Sequence, residues 1–132
     1  MSHRLLDLSL RWAPVVGWMA LLFVLSNEPN LRVSQDQGLD FVLRKIGHAA
    51  VYAALLLLVL RALRVRGRGG LALALAIVAL YAVSDEIHQG FVSNRHASPT
   101  DVAIDVTGAV IALVAWLWLA RGRTGPQPVR DP

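Results

Sequence analysis

The chain has 132 residues, 55% of them hydrophobic, and a mean hydropathy of +0.51, which is high for a water-soluble domain. It carries a net charge of +4, but its basic residues flank apolar segments instead of forming one face, which argues against a nucleic-acid-binding function. The absence of cysteine excludes disulfides, thiolate metal sites and cysteine nucleophiles.

Four apolar segments follow one another along the chain, at residues 8–26, 40–63, 71–89 and 101–120. Each can supply the roughly 20 residues that a transmembrane helix needs. Parts of them are apolar on every side, which suits lipid and not water. The sequence therefore predicts an all-α fold, a four-helix transmembrane bundle. We expect residues 1–121 to form one membrane domain and residues 122–132, rich in Gly and Pro, to form a disordered cytoplasmic tail.

The distribution of basic residues predicts the orientation of the bundle. Most of the Arg residues lie before the first span, between the second and third spans, or after the fourth, and these places share one side of the membrane. Short segments rich in Lys and Arg stay in the cytoplasm. We therefore expect both termini in the cytoplasm. The ends of the spans that carry most of the acidic residues then face outward.

A first polar group lies near the outer end of the second span. Lys45, His48 and Tyr52 are spaced at i, i+3 and i+7, so they share one face of a helix. Polar residues beside a span are costly and usually have a partner or a function. The alternative is a Lys that reaches toward the interface, a Tyr of the aromatic belt and a His satisfied inside the protein.

A second polar group closes the third span. Asp85 and Glu86 are adjacent, and Gln89 follows one turn later. Adjacent helical residues point about 100° apart, so we expect only one of the acids, Glu86, to face the bundle interior together with Gln89. The alternative is that both acids face water at the end of the helix.

A third polar group opens the fourth span. Ser98 and Pro99 read as the N-cap and first residue of a helix, and Asp101 has a capping role available in the first turn. Asp105 lies one turn deeper, where an acid should be buried, paired or protonated. Gly108 follows on the same face and would allow a neighbouring helix to approach closely.

The charge balance of these groups leaves two interpretations open. The acids outnumber Lys45 and Arg95, so a site built only to hold an anionic phosphate is not favoured. In one interpretation the charges pair with each other, for example Lys45 with Glu86 and Arg95 with Asp101, and lock the helix ends. In the other, surplus acid holds a cation or transfers protons.

The order of the polar motifs resembles the VanZ-like family of small bacterial membrane proteins. At position 105 members of that family often carry Asn, where this chain has Asp. The resemblance implies a role in the cell envelope, at the bacterial cytoplasmic membrane, since the founding member is associated with resistance to the glycopeptide teicoplanin. It rests on the segments FVLSNEP at 23–29, KIGH at 45–48 with Tyr52, SDEIHQ at 84–89, and Arg95 with Ser98, Asp101 and Gly108.

Three functional hypotheses follow. The first is a binding protein whose outward-facing polar pocket takes an amphiphilic ligand: a membrane lipid, a lipid-linked cell-wall precursor or the glycopeptide antibiotic. The second is an enzyme acting on such a precursor, with Glu86 and His48 as acid–base or metal-binding residues. The third is a structural polar network without a ligand. We expect no resident metal ion or cofactor. The ligand-binding residues of the first hypothesis are Lys45, Tyr52, Asp85, Gln89, Arg95, Ser98, Asp101 and Asp105.

Overall fold

The computed structural model describes residues 2–28, 33–92 and 97–122, which form four α-helices and no strand. All four helices are long and apolar enough to cross a membrane. This confirms the predicted all-α fold with four spans, and each helix begins before the span predicted for it. The predicted disordered tail, apart from its first residue at the end of the last helix, lies outside the described residues. The helices are α1 (Ser2–Ser26), α2 (Gln37–Leu63), α3 (Arg68–Gln89) and α4 (Pro99–Gly122).

Local capping fixes where two of these helices begin and one ends. Asp36 caps α2, and its Oδ1 accepts a hydrogen bond of 2.8 Å from the backbone N–H of Leu39. Arg64 ends α2 in the left-handed conformation, with φ of 49°. α4 begins at Pro99, as predicted, and the backbone N–H of Asp101 donates to the carbonyl of Ser98 at 2.9 Å.

The buried core centres on α2, which contacts each of the other three helices. Tyr52, Leu55, Leu56 and Val59 of α2 are fully buried or nearly so. Large apolar side chains are exposed on every helix, as expected where the surrounding solvent is lipid. The bundle therefore has a narrow protein interior, and a polar side chain within it has few positions to occupy.

Helix α1 is tied to its neighbours by aromatic side chains that donate to backbone carbonyls. The indole Nε1 of Trp18 donates to the carbonyl of Val51 on α2 at 3.0 Å. The hydroxyl of Tyr81 on α3 donates to the carbonyl of Met19. These bonds hold the C-terminal half of α1 against α2 and α3, at the end of the bundle where the polar residues lie.

Helices α2 and α4 approach each other closely at Gly108. A Cβ atom built on Gly108 would lie 2.1 Å from the carbonyl oxygen of Ala49 and 2.6 Å from its Cα. Any side chain at this position would overlap the backbone of α2, so the predicted role of Gly108 is confirmed. The contact brings the polar residues of α2 within reach of the acids of α4.

Candidate functional site

The predicted polar residues that the structure describes gather at one end of the bundle, where α1 and α3 end and α2 and α4 begin. They form two adjacent groups. The first, which we call the Asp85 cluster, joins α1, α2 and α3 through Ser26, Tyr52, Asp85 and Gln89. The second consists of ion pairs between α2 and α4.

Asp85 is the centre of the first group and is only 5% exposed. Its Oδ2 accepts hydrogen bonds from the hydroxyl of Ser26 at 2.9 Å, the hydroxyl of Tyr52 at 3.2 Å and the side-chain amide of Gln89 at 3.2 Å. All three donors are neutral, and all converge on the same oxygen. The other oxygen, Oδ1, is buried and has no hydrogen-bond partner among the described residues. The carboxyl group thus has three donors on one oxygen and none on the other, buried oxygen.

The expectation that only Glu86 would face the interior, together with Gln89, is wrong. Glu86 is 4% exposed and Asp85 5%, so both acids are buried, and Gln89 bonds to Asp85. The reason is that α3 has protein on two sides. Asp85 faces α1 and α2, whereas Glu86 faces the start of α4, where its Oε1 accepts a 2.6 Å bond from the backbone N–H of Ser98.

The ion pairs between α2 and α4 differ from the example pairing considered above. Lys45 bonds to Asp101 and not to Glu86, because the close approach of α2 to α4 places it opposite the first turn of α4. One turn deeper, Nδ1 of His48 lies 3.1 Å from Oδ1 of Asp105, which is 1% exposed. Asp105 is therefore buried and paired, as predicted. Arg95, the proposed partner of Asp101, lies outside the described residues.

A cavity of about 210 Å³ opens between α1 and α2 beside the Asp85 cluster. Its walls are apolar, with Leu22 and Leu25 from α1 and Leu43 and Val51 from α2. Gly47 also lines the cavity and, because it has no side chain, leaves space at that position. Tyr52 and His48, one turn apart on α2, connect the cavity to both polar groups. Its polar lining residues include Ser26, Arg44, His48, Tyr52 and Asp85.

Sequence reasoning missed two features of this end of the bundle. Ser26, the last residue of α1, donates to Asp85, and it belongs to the FVLSNEP segment that supported the family resemblance. Asp40 accepts hydrogen bonds from the backbone N–H groups of Val33 and Ser34 at 2.7 and 3.2 Å, and its Oδ2 lies 3.2 Å from Nε of Arg44. It thereby ties the segment before α2 to the rim of the cavity.

The chemistry available here is that of hydrogen bonding and proton transfer. Nowhere in the described parts of the chain do three His, Asp or Glu side chains come together as metal ligands. With Asp105 ionised, its carboxylate accepts the Nδ1 proton of His48, which leaves Nε2 as the basic nitrogen of the neutral ring. The cavity is thus lined by an oriented imidazole and by a carboxyl group with one unpaired oxygen.

Comparison with known families gives one result that covers most of the chain. A family model described as VanZ-LLP1, VanZ/LLP1, matches residues 9–120. No curated protein and no solved structure matches the chain. The match contains all four spans, apart from the ends of α1 and α4, and every residue of both polar groups. The chain belongs to the VanZ-like family of membrane proteins.

Proposed function

We propose that this protein binds an amphiphilic or lipid-linked ligand of the bacterial cell envelope, with the polar end of the ligand in the cavity between α1 and α2. The observation that carries the proposal is the composition of that cavity. Apolar walls from two lipid-exposed helices lead to a small set of hydrogen-bonding side chains at its polar end. This is the pattern of a site that grips a head group and leaves the apolar part of its ligand in a lipid-like environment.

The size of the cavity supports the same ligand class. Pockets for drug-sized molecules occupy about 300–1,000 Å³, whereas this cavity has about 210 Å³. It is large enough for a compact head group and its first methylene groups. The remaining apolar part of the ligand would extend along exposed side chains such as Phe23 and Val24 of α1.

The orientation in this proposal follows from the basic residues. With the Arg-rich connection between α2 and α3 in the cytoplasm of a bacterial cell, the cavity opens toward the outer leaflet of the cytoplasmic membrane. Lipid-linked cell-wall intermediates are exposed there, and glycopeptide antibiotics act there. A role of the teicoplanin-resistance type, which the family resemblance implies, would then be exerted from this outer face.

Two glycines provide a test with a matched control. Gly47 lines the cavity, and among the described residues no atom lies within 4 Å of the position its Cβ would occupy. Gly47→Leu therefore adds a side chain at the cavity wall, with room for its Cβ atom. Gly17 on α1 is equally unobstructed and faces lipid, so Gly17→Leu adds the same side chain away from the cavity.

The measurement is native mass spectrometry of the detergent-purified protein, incubated with phosphatidylglycerol, phosphatidylethanolamine or teicoplanin in turn. We expect at least one of these amphiphiles to remain bound to the wild type and to Gly17→Leu, and to be lost from Gly47→Leu. Equal retention by Gly47→Leu, or no retention by the wild type, refutes binding in this cavity.

One observation favours a second candidate, catalysis on a lipid-linked precursor. His48 lines the cavity and is oriented by the buried Asp105, which is the arrangement of a general base with its orienting carboxylate. Glu86 is not among the cavity-lining residues, so the acid–base role would fall to His48. Turnover of a radiolabelled lipid-linked precursor by the purified protein, abolished in His48→Gln, would establish this activity. Binding without any product would leave the binding function in place.

A further inference from the structure

The ionisable side chains that line the cavity differ in whether an ionisable group of opposite type lies beside them. Nε of Arg44 lies 3.2 Å from Asp40, its oppositely charged partner, and Nδ1 of His48 lies 3.1 Å from the carboxyl group of Asp105. Asp85 has no such neighbour among the described residues, because its contacts are with a serine, a tyrosine and a glutamine. The cavity therefore contains one acid that is stabilised by neutral donors alone within the described chain.

The geometry of Asp85 leaves a defined position for a further donor. An ionised carboxylate offers about four acceptor positions, and here three donors occupy Oδ2 while Oδ1 has no partner in the described parts of the protein. A buried charge without a partner is costly, whereas a charge-assisted hydrogen bond recovers much of that cost. A cationic N–H donor in the cavity would complete the arrangement.

Resting on the proposed binding function, we infer that the cavity selects amphiphiles that carry a primary ammonium group, which donates to the buried, unpaired Oδ1 of Asp85. A primary ammonium has three N–H donors and is small enough for the cavity, whereas a quaternary ammonium has the charge without a donor. The amine could belong to a phospholipid head group or to another amino-bearing envelope amphiphile.

The experiment compares probes that differ only in their head group. Dodecylamine, dodecyltrimethylammonium and dodecanol are titrated into the detergent-purified full chain, and their affinities are measured by calorimetry. Because a hydrogen bond to a charged group is worth roughly a ten- to hundredfold change in affinity, we expect the amine to bind at least tenfold more tightly than the alcohol. The quaternary compound should bind more weakly than the primary amine.

The decisive variant is Asp85→Asn. The Asn oxygen can take the place of Oδ2 and keep all three existing hydrogen bonds, while its amide nitrogen takes the place of Oδ1, which has no partner to lose. The variant removes the charge and the unpaired acceptor together, and the amine preference should disappear. Asp36→Asn is the control, because it removes an exposed acid that caps α2, a position that Asn also fills well. The control should keep the preference.

Persistence of the amine preference in Asp85→Asn overturns the inference. Equal binding of amine and alcohol by the wild type also overturns it, and this comparison does not depend on whether any variant folds. If dodecanol still binds the wild type and is lost from Gly47→Leu, the proposed binding function stands although the ammonium selectivity fails. Native mass spectrometry with phosphatidylethanolamine and its N-acetylated form identifies the source: preference for the free amine assigns a phospholipid, and amine preference limited to dodecylamine assigns another amphiphile.

Discussion

Replacing Gly108 with Ala should force α2 and α4 apart. The new Cβ would lie 2.1 Å from the carbonyl oxygen of Ala49, whereas an ordinary carbon–oxygen contact is about 3.3 Å. The backbones must therefore separate by about 1.2 Å at this point. Both atoms nearest to the new methyl group belong to the backbone of α2, so no rotation of a side chain can relieve the overlap.

The separation should also break the contact one turn away. His48 and Asp105 are 3.1 Å apart, and a transmitted shift of this size would take them beyond hydrogen-bond range. Overpacking costs about 1–3 kcal/mol, and a buried acceptor without its partner costs a further 1–3 kcal/mol or so. The better helix propensity of Ala returns about 1 kcal/mol. We expect a net loss of roughly 1–5 kcal/mol in the free energy of unfolding.

The assay is unfolding in mixed micelles of increasing denaturing-detergent content, followed by far-ultraviolet circular dichroism. Gly17→Ala is the matched control, because its added methyl group has no described atom within 4 Å, and it should be neutral or slightly stabilising. If Gly108→Ala is as stable as Gly17→Ala, the close packing of α2 on α4 is not what holds this part of the bundle together.

Three further predictions concern the polar groups and the orientation. Tyr52→Phe removes one donor from a buried carboxyl group, and should lower the free energy of unfolding by about 1 kcal/mol; no change in micelle unfolding would contradict this. Asp105→Ala should lower the free energy of unfolding by about 3–5 kcal/mol, since it leaves a histidine inside the bundle without its partner. Lys45→Met should lower it by under about 1 kcal/mol, because the pair of Lys45 with Asp101 is partly exposed. Equal losses in the two variants would contradict the inference that the deeper pair matters more because it is more buried. The protein has no cysteine, so single cysteines can be labelled selectively in intact cells that express it. A membrane-impermeant maleimide should label Phe91→Cys, at a position where the Phe side chain is 84% exposed, and should not label Gly67→Cys. The reverse pattern would show that the orientation is opposite to the predicted one.

The four spans could be predicted from the sequence because hydropathy is averaged over many residues. About 20 consecutive apolar residues are needed to cross a membrane, and a single exception changes that average little. The polar residues stood out for the same reason, since Asp105 or His48 is conspicuous in an apolar segment. The candidate site residues could thus be predicted because polar residues are rare within these apolar segments.

The pairing of those residues depends on how each helix is rotated about its axis, which hydropathy does not specify when the helix is apolar all around. The expectation for Asp85 and Glu86 assumed that α3 has one protein-facing side, but it has two. The partner of Lys45 was decided by the approach of α2 to α4 at Gly108. The role of Ser26 requires knowing that α1 ends at the depth of Asp85, which is a property of three helices together.

The contacts between α2 and α4 have a consequence for how the protein is made. Lys45 and His48 are separated from Asp101 and Asp105 by 56 and 57 positions in the chain. During synthesis α2 enters the membrane well before α4 has left the ribosome. Lys45 and His48 must therefore remain without Asp101 and Asp105 until α4 has been inserted. Insertion of α4 is then the step that supplies the acidic partners of Lys45 and His48 as well as the fourth helix.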